Sequence, residues 1–252
     1  MDAQNTLFEY LLRLGDNALI LGHRLSEWCG HSPALEEDLA LSNVALDLIG
    51  QTQLWLNLAG EVEGKGRDAD KLAYLRDARD FRNVLLVEQP NGDFASTMAR
   101  QFYFDAWHYL LLRELTGSKD PRIAEIAAKS LKEVTYHLER SREWILRLGD
   151  GTEESHRRMQ AAIDDLWMYT GELFESDEVD QAMAREGLGP DLATLHEPWL
   201  GLVRATAEEA TLVLPQPGWA QRGGKRGIHS EHLGYILADL QFLQRAYPNA
   251  TW

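Results

Sequence analysis

The sequence predicts an all-α fold, and three observations carry that prediction. Apolar residues recur at alternating steps of 3 and 4 over long stretches, the period of an amphipathic helix. No stretch alternates apolar and polar residues at strand period; the short apolar run Val84–Val87 reads as a buried turn beside a helix rather than a strand. Turn and cap signals such as Ser32-Pro33, Gln89-Pro90-Asn91-Gly92, Asp120-Pro121 and Gly149-Asp150-Gly151 fall between the periodic stretches.

The first helix carries Leu7, Leu11, Leu14, Ala18, Leu21, Leu25 and Trp28 in an unbroken seven-residue repeat, with Thr6 and Glu9 as a capping box. Ser32-Pro33 supplies a cap and a first-turn proline for a second helix running to about Gly60. A polar link, Glu61 to Asp68, leads to a shorter helical piece over about Ala69–Asn83. The third long helix spans about Asp93–Thr116, and the fourth starts at Asp120-Pro121 with Ile123, Ala127, Ser130, Val134, His137, Ser141, Trp144 and Leu148 on one seam. Further helices follow over about Thr152–Phe174, Asp177–Glu186, Asp191–Val213 (started late or interrupted at Pro198) and Ser230–Ala246. Four long helices with two short links and one long one predict a ferritin-like four-helix bundle with additional helices, one domain over 1–252.

Composition narrows the function. Lys plus Arg is 25 against 40 for Asp plus Glu, a formal net charge of −15. That balance argues against nucleic acid and against an anionic membrane surface as main partners. The single cysteine, Cys29, excludes an intramolecular disulfide framework and fits a reducing compartment. With no apolar leader and no membrane-length run, a soluble cytoplasmic protein is expected.

An acidic helical bundle raises the question of a di-iron site, which needs a carboxylate on each of two helices and Glu-x-x-His on each of two others. Glu153-Glu-Ser-His156 stands where a helix begins and reads as an exposed helix start. Asp105-Ala-Trp-His108 differs, because Asp105 shares a stripe with Met98, Phe102, Tyr109 and Leu112 and must be paired or neutralised if buried. The buried-polar candidates are Asn17, Asp47, Asp105 and His137, one per long helix. They offer too few carboxylates and imidazoles for an iron pair. His137 read alone is a hydrogen-bonded core histidine before it is a ligand.

The stretches Gly15–Ser32 (GDNALILGHRLSEWCGHS), Leu85–Ala95 (LLVEQPNGDFA), Phe104–His108 (FDAWH), Lys132–Arg142 (KEVTYHLERSR) and Gly223–Tyr235 (GGKRGIHSEHLGY) resemble the structural, non-catalytic subunits of bacterial phenylacetyl-CoA ring epoxidases, over essentially the whole chain. The resemblance implies a ferritin-like chain without a cofactor of its own. It implies pairing with a related di-iron catalytic subunit, and a reductase carrying flavin and iron–sulfur groups that supplies electrons. The complex would use O₂ to epoxidise the ring of phenylacetyl-CoA, bound at or near the interface.

The sister subunit's six-ligand pattern, carried over by this resemblance, falls on Asn17, on Asp47 and Gly50, on Asp105, and on Val134 and His137. A carboxylate has become an amide, another a valine, and one imidazole a hydrogen. The implied role is a scaffold in which Asp105 and His137 form a buried ion pair or hydrogen bond. Two other readings stand beside it: an enzyme with its own metal on Asp47, Asp105, His108 and His137, and a helical adaptor with no acyl-CoA role. The basic loop Arg222, Lys225 and Arg226, amid Gly223, Gly224 and Gly227, reads as a contact for the CoA phosphates assisted by His229, or as a solvated loop or docking patch. Trp28 and Trp144 read as packing; Trp199, Trp219 and Trp252 read as interface anchors or capped core edges.

Overall fold

The computed structural model describes residues 3–216, 218–248 and 250, so that Pro217 and Trp252 lie outside it. Among the described residues there are helices and no strand. In chain order the α-helices are α1 (Ala3–Ser26), α2 (Leu35–Glu63), α3 (Ala69–Tyr74), α4 (Leu85–Glu88), α5 (Phe94–Leu115), α6 (Pro121–Gly149), α7 (Glu153–Trp167), α8 (Glu178–Glu186), α9 (His196–Glu209) and α10 (Glu231–Ala246). The chain forms two compact units. One takes the sequence up to Pro90 and resumes at Arg222; the other is Asn91–Gln221.

In the first unit α1 and α2 form an antiparallel hairpin. The Gln4 side-chain amide donates to the Val62 carbonyl (2.6 Å), while Gly22, near the other end of α1, faces Ala45 and Leu48. Gly15 and Gly22, one heptad apart, are what let α2 approach. A Cβ at Gly15 would lie 2.6 Å from Leu56, and one at Gly22 would lie 3.3 Å from Leu48. The repeat read along α1 is buried from Leu11 through Leu25. Its ends differ from expectation. Residues 3–5 are already helical, so Thr6 lies inside the helix rather than at its start, and Trp28 falls in the turn beyond Ser26. α2 starts two residues later than Ser32-Pro33 suggests, with Ala34 as an N-cap that offers no side-chain acceptor. The piece expected over 69–83 is α3 plus a 3₁₀ turn at Ala78–Asp80.

In the second unit α5 and α6 form another antiparallel hairpin, marked by Phe94 edge-on against Trp144 (4.9 Å) and by Asp105 against Ser141 (2.8 Å). Asp93 caps α5 through the Ser96 N–H, and Asp120 with Pro121 opens α6, both as the sequence predicts. Ile123, Ala127, Ser130, Val134, His137 and Ser141 form a fully buried seam. α5 is buried nearly all round rather than on one stripe, which fits a helix with neighbours on several sides. α7 and α9 pack on this hairpin. The two hairpins supply the four long helices of the expected class.

Candidate functional site

The second unit holds a buried polar group on the facing sides of α5 and α6. Asp105 is 1% exposed. One carboxylate oxygen accepts from the Gln101 amide (2.7 Å) and the other from the Ser141 hydroxyl (2.8 Å). Burial raises its pKa to about 6, against the opposing pull of His137, Ser141, Gln101 and Arg140. His108, one helical turn from Asp105, is also buried. Burial, and secondarily His137, push its pKa down to about 3, so its ring is neutral, and its Nδ1 has no hydrogen-bond partner among the described residues. His137 is buried close enough to act on both groups. Val134 lies one turn before it with no exposure and no donor atom.

In the first unit Asn17 is buried, and its side-chain oxygen accepts from the Val84 N–H (2.8 Å). The amide therefore ties α1 to the segment before α4. Asp47 is only half-buried, contrary to its reading as a core polar residue, because α2 packs through Leu41, Val44, Ala45, Leu48 and Thr52 and turns residue 47 outward. Gly50 is exposed, and a Cβ built there meets nothing within 4 Å.

This donor set does not fit an iron pair. The six positions offer two carboxylates, one of them half-exposed, one imidazole, an amide already engaged by the backbone, and two residues without a ligand atom. Among the described residues no three His, Cys, Asp or Glu side chains gather as a metal site requires.

A residue that sequence reasoning passed over is Asp16. It is fully buried, and both its oxygens face the Arg76 guanidinium; Oδ2 also accepts from the Arg82 N–H (2.8 Å). The available signal was two arginines in the link after α2, facing a helix whose burial extends beyond the seven-residue seam.

The glycine-rich loop is built for close packing. Gly224 stands where a Cβ would lie 2.2 Å from the Asn83 carbonyl, and Gly227, with φ of 75°, where one would lie 2.2 Å from that of Arg79. Lys225 is buried, whereas Arg222 and Arg226 reach solvent. His229 is committed elsewhere. Its Nδ1 lies 2.8 Å from the buried Glu88 carboxylate and its Nε2 lies 3.1 Å from the Phe81 carbonyl. Glu88 also accepts from Asn83 (2.9 Å) and the Ser230 N–H (2.7 Å).

On the outer face of α2, Leu35 (71% exposed), Leu39 (57%), Leu46 (65%) and Ile49 (36%) follow one another at helical spacing. Four large apolar side chains in a row on one helix make a surface patch of the kind that binds protein. Of the tryptophans read as possible anchors, Trp199 is buried and donates to the Tyr103 carbonyl (3.0 Å), and Trp219 is 71% exposed.

The profile of the family described as Phenylacetic acid catabolic protein matches residues 1–252. The chain is 53% identical over 248 residues to an Escherichia coli (strain K12) protein named as one of the subunits of 1,2-phenylacetyl-CoA epoxidase, covering 98% of this chain and all of that one.

Proposed function

Since the chain belongs to the phenylacetic acid catabolic protein family, we propose that it is the structural subunit of a phenylacetyl-CoA epoxidase, without iron of its own. It pairs with and stabilises a related di-iron subunit that epoxidises the ring of phenylacetyl-CoA with O₂ in aerobic phenylacetate catabolism, with electrons from a flavin and iron–sulfur reductase. The observation that carries this reading is the chemistry at the ligand positions. Val134 and Gly50 have no donor, and the Asn17 oxygen is spent on the Val84 N–H.

Pairing is supported by the exposed stripe Leu35, Leu39, Leu46 and Ile49. A helix of the related subunit would cover it and remove it from water, the main driving force of stable association. In this role Asp105 and His137 keep a core position, and their burial serves packing of α5 against α6 rather than redox chemistry. No described helix is long and apolar enough to cross a membrane.

Co-expression with the related chain that carries intact Glu-x-x-His motifs tests the proposal. The expected result is a co-purifying complex whose iron belongs to the partner, with O₂-dependent epoxidation that falls sharply when this subunit is omitted. Full activity of the partner alone would refute a required structural role. Iron bound stoichiometrically by this chain alone would refute the scaffold reading.

A further inference from the structure

The second unit contains a cavity of about 540 Å³ with one aromatic wall, Trp167, Phe174, His196 and Trp199, and with Trp219 among the residues that complete its lining. This volume is in the range of small-molecule sites, roughly 300–1,000 Å³. The rings of this wall pack on one another. The Trp199 indole N–H is held by the Tyr103 carbonyl (3.0 Å), Trp167 lies 5.8 Å from Trp199, and Phe174 lies 5.1 Å from Trp199 and 4.9 Å, edge-on, from His196.

The remaining side is formed by two non-helical segments, 212–216 and 218–220, each held at one point. The Gln160 side chain donates to the Val213 carbonyl (2.7 Å) and accepts its N–H (2.9 Å), while the Gln221 N–H donates to the Met168 carbonyl (2.8 Å). Between these anchors Trp219 is 71% exposed, an apolar side chain whose burial a guest would complete.

Two charged side chains of α9 line the cavity. Arg204 has no ion pair or hydrogen bond among the described residues, and Glu208 follows one turn later, unpaired with it. We propose that this cavity binds a planar aromatic acid carrying one negative charge, its rings against the indole walls and its carboxylate on Arg204. The guanidinium fork matches a carboxylate, and Glu208 disfavours a second negative charge on the guest. The site shares no residue with the Asp105 group or with the stripe on α2, and it does not depend on the scaffold role.

The full-length protein is titrated with 2-naphthoate by calorimetry. Saturable binding at one site per chain is expected, with a Kd on the order of 0.1–1 mM. Arg204→Gln and Trp219→Ala, both at exposed positions that leave the fold intact, should each weaken it roughly 10-fold. Cyclohexanecarboxylate and naphthalene-2,6-dicarboxylate should bind more weakly than 2-naphthoate. No saturable binding at millimolar probe, unchanged affinity in both variants, or equal binding of the cyclohexane acid would overturn the proposal.

Discussion

Arg76 grips Asp16 with both terminal guanidinium nitrogens, and neither side chain reaches solvent. The guanidinium also lies over the Phe81 ring at 4.2 Å and donates to the Asp80 carbonyl (3.0 Å). A buried pair of this kind is costly to break from one side, because the remaining charge has no water. Asp16→Ala should therefore lower unfolding free energy by about 3–5 kcal/mol, read from urea titration. A loss under about 1 kcal/mol would mean that water replaces the carboxylate.

Acid should weaken the second unit through His108. Its ring protonates near pH 6.5 when unfolded and near 3 when folded, so the stability present above 6.5 is lost as pH falls from 6.5 toward 3, by at most about 5 kcal/mol. Asp105 works the other way. Its pKa rises on folding from 3.8 to about 6, so its burial is cheapest below 3.8 and costs up to about 3 kcal/mol above pH 6. Asp105→Asn should gain stability over the parent as pH rises from 4 to 7.5, and His108→Gln should flatten the loss between pH 6 and 4. Denaturant titrations at several pH values read both, and parallel pH profiles for parent and variants would contradict them.

Two glycines with opposite surroundings give a paired test. At Gly60 a Cβ would lie 1.9 Å from the Arg67 carbonyl, so Gly60→Ala should cost about 3 kcal/mol or leave the protein insoluble. At Gly50 nothing is near, and Gly50→Ala should stabilise α2 by about 0.5–1 kcal/mol. Thermal melts of both variants decide this; equal effects would show that α2 relaxes freely at Gly60.

Glu88 and His229 hold the segment from Gly223 to Ser230 against residues 79–88. His229→Ala leaves a buried carboxylate short of one partner and should loosen that segment. Trypsin should then cut after Arg226 several-fold faster than in the parent, with cleavage in α6 unchanged. An unaltered digestion rate would show that the glycine packing alone holds the loop.

The stripe on α2 should govern association and not folding. Leu39→Glu with Leu46→Glu exchanges exposed leucines for charge and should leave the melting temperature within about 2 °C of the parent. Copurification of the related subunit should be lost. A variant that still assembles would remove α2 as the contact.

The long helices were legible because their periodicity and caps are local. Asp93, Asp120 and Pro121 act where the sequence places them, and the seam from Ile123 to Ser141 is buried as its spacing requires. Asp105 and His137 were legible as buried polar residues for the same reason. Asp47 was not, since α2 carries apolar residues on two faces and periodicity alone cannot tell which faces α1. The Asp16–Arg76 pair and the Glu88–His229 contact link residues 60 and 141 positions apart, and no local pattern encodes such a meeting. The glycines after Arg222 read either as a CoA-phosphate contact or as a solvated loop or docking patch, and their close packing belonged to neither reading. What they accommodate is backbone carbonyls at residues 79 and 83, a contact invisible until the chain returns.

That return sets the order in which the protein can be made. The second unit is one continuous stretch, complete once residue 221 has left the ribosome. The first unit must wait: α10 supplies Gln241, whose amide donates to the carbonyls of Ala73 (3.0 Å) and Arg76 (2.9 Å), and the preceding loop supplies His229. Until those residues are made, residues 73–88 lack these contacts. The unit that holds the earliest-made residues is thus the last to be completed, and nascent chains stalled between residues 90 and 221 would be the species in greatest need of a chaperone.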